Sequence, residues 1–141
     1  MNESAFQAST TERILAAAGV VTTVSGAAYV WLFNPTTNGF FPVCPLLSLT
    51  GIACPGCGLT RGFHALFHGD IAAALGFNAM IPLYAFVFAY LFIAMFLIAV
   101  RGRSLKFQIF KPVYIWGFMI TAFAFAVLRN LPFYPFTLLY P

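Results

Sequence analysis

Charged side chains are scarce. Seven Lys or Arg and three Asp or Glu make up 7% of the 141 residues, where a soluble domain carries about 25%. Hydrophobic residues reach 62%. So little polar surface cannot cover a water-facing globule, and lipid is the expected solvent for most side chains. Carboxylates are scarcer still: beyond Glu3 and Glu12 in the N-terminal tail there is only Asp70. Paired carboxylates for acid–base chemistry are therefore missing, as are a Ser/His/Asp set and a phosphate-cradling Gly loop. The near absence of ionisable groups in the apolar stretches argues against a proton or ion pump. No soluble module with a basic face exists, so nucleic acid is not an expected partner. Internal repeats and low-complexity segments are also lacking.

Long apolar runs are what the chain has. Residues 14–33 and 81–100 are uncharged; each predicts a helix of roughly 30 Å, the thickness of the hydrocarbon core. A shorter run follows at 113–128, with Pro112 suited to the first helical position. Lys111 and Arg129 flank it as anchors expected to reach the headgroups. The expectation is one membrane domain over residues 1–141, with spans at about 14–33, 81–100 and 112–128. The first run is too long for a cleaved signal segment, and no small-x-small cleavage site follows Phe33.

Net charge is +4, and its placement predicts orientation. Arg101, Arg103, Lys106 and Lys111 crowd the connection at residues 101–111, which the positive-inside rule assigns to the cytoplasm. The N-terminus with Arg13 then also lies inside. Residues 34–78 and the C-terminal run 129–141 lie outside.

Within the first span, Ala18, Thr22 and Gly26 form a small-residue stripe expected to pack against a neighbouring helix of the same chain. Residues 34–39 read as a turn leaving the membrane. Residues 40–51 are too apolar for a free loop and too Pro-broken for a helix; they are expected at the interface or dipping back under cover of protein. Residues 59–68 have helical period, with Leu59, Phe63, Leu66 and Phe67 on one apolar face. Arg61, His64 and His68 share a stripe that Cys57 would extend. Gly69 is a terminator, Asp70 an N-cap for residues 71–77, and Asn78 a cap for the second span. The aromatic, Pro-rich run 129–141 suits the outer interface and could fold back over the cysteines. The fold class that results is an all-α integral membrane protein. It has three transmembrane helices, one or two short interfacial helices and a Cys-containing re-entrant or surface loop.

Cys44, Cys54 and Cys57 carry the chemistry available to this chain. On the outer side disulfides persist, and a bridge from Cys44 to Cys54 or Cys57 would staple the loop. Metal is the second reading. Cys54-Pro-Gly-Cys57-Gly58 is a knuckle turn in which Gly58 lets the backbone curl. It supplies two ligands, and Cys44, His64 or His68 would supply the rest; Zn is the first choice, with Cu an alternative. Thiol–disulfide exchange is the third, since a helix N-terminus and Arg61 would lower a thiol pKa. If Arg61 is buried, Asp70 is its one available carboxylate; otherwise Arg61 sits at the headgroups and Asp70 only caps. Thr60 and Asn130 read as helix caps. The polar site candidates are Thr60, Arg61, Asp70, Asn78, Arg129 and Asn130.

The pattern Cys-Pro-x-Cys-Gly-x-Thr-Arg, then Gly-Asp and Asn, occurs here as Cys54, Pro55, Cys57, Gly58, Thr60 and Arg61, then Gly69, Asp70 and Asn78. An upstream Cys44-Pro45 and a late Arg129-Asn130-Leu131-Pro132 accompany it. This resembles a bacterial domain-of-unknown-function family of small inner-membrane proteins, over about residues 14–136. The resemblance implies a fold and a bacterial inner-membrane location but no reaction, substrate or cofactor. His64 and His68 lie outside its signature, which shifts weight to the three cysteines, Arg61, Asp70 and Asn78. The expected role is an accessory or scaffolding subunit, without catalytic residues, that presents its Cys-locked outer loop to a membrane-protein partner. Metal binding and thiol–disulfide exchange stand as the alternatives.

Overall fold

A computed structural model describes residues 8–37, 41, 43–103 and 111–140. The tail at 1–7, the loop residues 38–40 and 42, and the basic stretch 104–110 with Lys106 lie outside the described residues. All regular structure among the described residues is helical: α1 (Thr10–Leu32), α2 (Pro45–Thr50), α3 (Leu59–Phe67), α4 (Ile71–Phe77), α5 (Ile81–Arg101), α6 (Pro112–Leu128) and a closing 3-10 turn, η1 (Phe136–Leu139).

α1 starts earlier than its apolar run because Ser9 and Glu12 form a capping box. The Ser9 hydroxyl accepts from the Glu12 amide at 3.3 Å, and the Glu12 carboxylate accepts from the Ser9 amide at 2.7 Å. α1 has 23 residues and α5 has 21, about 35 and 32 Å at roughly 1.5 Å per residue. Both are long and apolar enough to cross a membrane, and only 6% of the most apolar window of either is buried. A core helix of a soluble protein would be mostly buried; these expose aliphatic and aromatic side chains, as a bilayer permits. α6 has 17 residues, about 26 Å. Among the described residues two helices are of spanning length, where the sequence led us to expect three.

The chain divides into two compact units, one of residues 1–28 and 83–108 and one of 29–82 and 109–141. In the first, the close approach is at Gly19, where an added Cβ would come within 2.6 Å of Met95 Sδ. The expected Ala18, Thr22 and Gly26 stripe is exposed, and Gly26 has open space around it. Helical spacing located a row of small residues, but the packed face is one residue round from it.

In the second unit α3 and α4 pack against each other. Ala65, Ala74 and Ile81 form the buried centre, with Leu59, Phe63, Leu66 and Phe77 against it. Phe67, expected on this face, is 42% exposed. Gly62 makes the contact: a Cβ there would meet Ile81 Cδ1 at 2.7 Å and the Ala74 carbonyl at 3.2 Å. Gly69 turns the chain at φ +81°, and Asp70 caps α4 by accepting from the Ala73 amide at 2.8 Å.

Residues 40–51 need correction. Proline count suggested no helix, yet α2 spans Pro45–Thr50. Pro45 stands in the first turn, where its missing N–H has no intrahelical partner to lose. Gly51, at φ +72°, ends the helix with its amide on the Leu47 carbonyl.

Candidate metal centre

The turn before α3 is built by Pro55 and Gly58. The Cys57 amide donates to the Cys54 carbonyl at 3.0 Å, closing a tight loop around Pro55-Gly56. Gly58 then takes φ +81° as the N-cap of α3, a backbone state that a side chain would strain. This curl brings the Cys54 and Cys57 sulfurs to 3.2 Å. Cys44, at the N-cap of α2, brings its sulfur to 3.5 Å from that of Cys54. All three sulfurs lie within 4.8 Å of one another.

The three are free thiols, their spacing well beyond a covalent S–S bond of about 2.05 Å. They form an unbonded cluster in this structure, with the staple's candidate partners side by side. Its members are unequal. Cys57 is buried, and burial, with Cys54 and Cys44 beside it, pushes its pKa up to about 12. Cys44 is half-buried, and the Leu47 amide, helped by the Cys54 and Cys57 thiols, holds it down at about 7. In the metal-free cluster Cys44 is therefore easier to ionise than Cys57. A bound cation would deprotonate all three.

A turn of this kind leaves its carbonyls without ladder partners, and distant side chains take them up. Asn78 is only 1% exposed; its amide nitrogen donates to the Pro55 carbonyl at 2.8 Å and the Cys57 carbonyl at 3.1 Å. Its side-chain oxygen accepts from the Met80 amide at 2.9 Å, in the turn ahead of α5, and Asn78 itself closes α4 as its C-cap. Arg129 is 0% exposed. Its Nη1 donates to the Cys54 and Cys57 carbonyls at 2.8 and 3.2 Å, and its Nε to the Leu139 carbonyl at 3.2 Å. The guanidinium also lies 4.8 Å from the Phe125 ring centroid. Asn130 accepts from the Ala53 amide and donates to the Ala53 carbonyl, both at 2.9 Å. The Tyr140 hydroxyl donates to the Gly51 carbonyl at 2.8 Å. The C-terminal run does fold back over the cysteine turn, and η1 packs on α4.

Arg129 is the main revision. A charge directly after an apolar helix reads as a headgroup anchor; here it is fully buried and ties the end of α6 to the cysteine turn. No signal in the sequence separates these two uses of the same residue, and Tyr140 and Ala53 gave none at all.

The other candidates go elsewhere. His64 Nδ1 is 2.7 Å from the Val30 carbonyl, and His68 Nδ1 is 2.8 Å from the His64 carbonyl. Their rings lie against each other at 4.4 Å and are not members of the thiol group. Arg61 is half-buried with its guanidinium 5.7 Å from the Phe77 ring centroid; Asp70 serves as the α4 cap. Thr60 lies half-buried in the first turn of α3.

Chemically, three convergent sulfurs form a soft donor set suited to Zn or Cu(I), or a set of thiols poised for exchange. No curated protein and no solved structure matches the chain. The family resemblance holds over residues 44–92 rather than the 14–136 its motifs suggested, so all of α1, all of α6, Arg129 and Asn130 fall outside it. Within those bounds the chain matches the family described as Protein of unknown function (DUF2752), in a segment that takes in all three cysteines and Asn78.

Proposed function

We propose that this chain is a multi-pass membrane protein whose outer loop binds one Zn or Cu(I) ion through the thiolates of Cys44, Cys54 and Cys57. The observation that carries this is the convergence of three sulfurs, from two separate segments, within 4.8 Å. Charge supports it. Three thiolates around Zn(II) or Cu(I) leave a net negative complex, and buried Arg129, hydrogen-bonded to the carbonyls of two of the three ligands, places a cation beside it.

The topology we favour has three spans in one membrane domain, since the 17 residues of α6 are at the lower limit of about 17–25 for a spanning helix. Arg101, Arg103 and Lys111 favour a cytoplasmic N-terminus, with the cysteine loop and C-terminus extracytoplasmic. The family resemblance favours a bacterial inner membrane. A metal-locked loop would act as a fixed docking surface for a membrane-protein partner, which makes the chain an accessory subunit rather than an enzyme.

The test is elemental analysis together with thiol-trapping intact-mass spectrometry on gently solubilised protein. The expected result is about one Zn or Cu per chain, three alkylatable thiols once the metal is chelated, and loss of the metal in Cys57→Ser. A disulfide with no metal, before and after incubation with Zn(II) or Cu(I), overturns the metal reading in favour of thiol–disulfide exchange, which the unequal pKa values of Cys44 and Cys57 would suit.

A further inference from the structure

We propose that Arg13, Arg101 and Arg103 form a binding site for the phosphate of an anionic phospholipid, independent of the cysteine cluster. α5 ends at Gly102, which turns the chain at φ +64° and donates its amide to the Ile98 carbonyl at 2.9 Å. The Ala8 amide, just ahead of α1, donates to the Gly102 carbonyl at 2.8 Å. Arg13 reaches from α1 to the last carbonyls of α5, with Nε and Nη2 on Ala99 at 3.2 and 3.1 Å and Nη2 on Val100 at 3.3 Å. These contacts border an open cavity of about 370 Å³ lined by Ala8, Arg13, Arg101, Gly102 and Arg103.

Three guanidiniums around one cavity repel one another, and an anion removes that repulsion. The neighbouring carboxylate, Glu12, is turned to the Ser9 amide as part of the α1 cap. Guanidiniums match phosphate oxygens with paired, charge-assisted hydrogen bonds. Arg13 is held in place beforehand by the partial negative charge at the α5 C-terminus, so little ordering is needed on binding. The surroundings select lipid over free phosphate. Ile14 and Leu15, next to Arg13, are 64% and 65% exposed, and Val100, next to Arg101, is 59% exposed. Acyl chains find apolar surface directly beside the charged cavity, the combination that marks headgroup sites at the ends of membrane helices.

The experiment uses the full-length protein in phosphatidylcholine nanodiscs containing a minor fraction of phosphatidylglycerol. Native mass spectrometry counts the lipids that stay bound after the disc is stripped. Wild type is expected to retain phosphatidylglycerol at several times its share of the disc. The double variant R101Q/R103Q alters two exposed side chains and should lower that enrichment at least fivefold. Lys111→Gln removes a charge that does not line the cavity and should leave it within twofold of wild type. No enrichment in wild type, or an equal loss in Lys111→Gln, overturns the site in favour of diffuse surface charge. In detergent alone, phosphatidylglycerol should raise the melting temperature of wild type more than that of the double variant. Equal stabilisation by inorganic phosphate would instead assign the cavity to free phosphate and overturn the lipid reading.

Discussion

The apolar helices and the cysteine turn satisfy their backbones by opposite means. In α1, α5 and α6 each carbonyl before the last turn is paired within its own helix, so side chains are left to face outward: Ile14 is 64% exposed, Ile120 64% and Phe123 72%. In the turn at residues 53–57, the carbonyls of Ala53, Cys54, Pro55 and Cys57 are taken by side chains of Asn78, Arg129 and Asn130. The lesson concerns replaceability. Between its end turns a helix in lipid asks its side chains to be apolar and little more, because no backbone group there depends on them. The turn asks for particular donors at particular places, since a buried carbonyl without a partner is costly.

The sharpest way to break that contrast is Arg129→Met. It removes a buried cation from the Cys54, Cys57 and Leu139 carbonyls and from the Phe125 ring while keeping an apolar stem. The Leu139 carbonyl loses the Arg129 donor; the Cys54 and Cys57 carbonyls keep a second donor in the Cys57 amide and Asn78. With hydrogen bonds to charged groups worth about 1.5–3 kcal/mol each, the expected loss is about 3–4 kcal/mol in denaturant unfolding of the detergent-solubilised, metal-free protein. Arg129→Lys should recover little, because a single ammonium cannot serve Nε and Nη1 positions together. If Arg129→Met unfolds within about 1 kcal/mol of wild type, the turn does not depend on side-chain donors and the comparison fails.

The sequence showed one side of this contrast far better than the other, for a physical reason. Spanning helices depend on hydropathy summed over about twenty residues, so residues 14–33 and 81–100 were legible at sight, and their boundaries moved only by the Ser9 cap and the Gly102 turn. Gly69 and Asp70 were legible because their roles are local. The thiol cluster was half legible: the spacing of Cys54 and Cys57 implied a turn, but that Cys44 rather than His64 or His68 joins it depends on α2, which the prolines concealed. Arg129 and Asn130 act on Ala53, Cys54 and Cys57 across more than seventy residues. Nothing local to 129–130 encodes that partnership, so Arg129 read both as a membrane anchor and as one of several polar site candidates.

Gly62→Ala sharpens the contrast from the side of packing. The added methyl would stand 2.7 Å from Ile81 Cδ1 and 2.9 Å from Cγ1, with the Ala74 carbonyl at 3.2 Å behind. Ile81 is 2% exposed and has little room to turn away. Overpacking of this kind typically costs about 1–3 kcal/mol, and α3 would be pushed off α4 at the end of the molecule that carries Cys57. The expected outcome is a loss of that size in unfolding, with a weakened metal affinity if the cluster binds one. The double variant Gly62→Ala/Ile81→Val, which frees a methyl's worth of space, should restore part of both. Failure of Ile81→Val to restore either would mean that the Ala74 backbone, not the Ile81 side chain, is what Gly62 makes room for.

The smallest effect belongs to Phe123→Leu on α6. Phe123 is an aromatic residue 72% exposed, on a helix whose backbone needs nothing from it. A large apolar side chain deleted from a protein core costs several kcal/mol because it leaves a cavity. Replaced on an outward-facing surface by another apolar group, it leaves none, because no packed neighbour closes over the site. The expected change is within about 0.5 kcal/mol, read in the same unfolding assay. A loss above about 1 kcal/mol would mean that this face of α6 is covered by protein, from a second copy or a partner, and that the helices are as dependent on side-chain identity as the turn. The two regions would then differ only in what covers them, and the replaceability of the helices would be a property of the isolated chain alone.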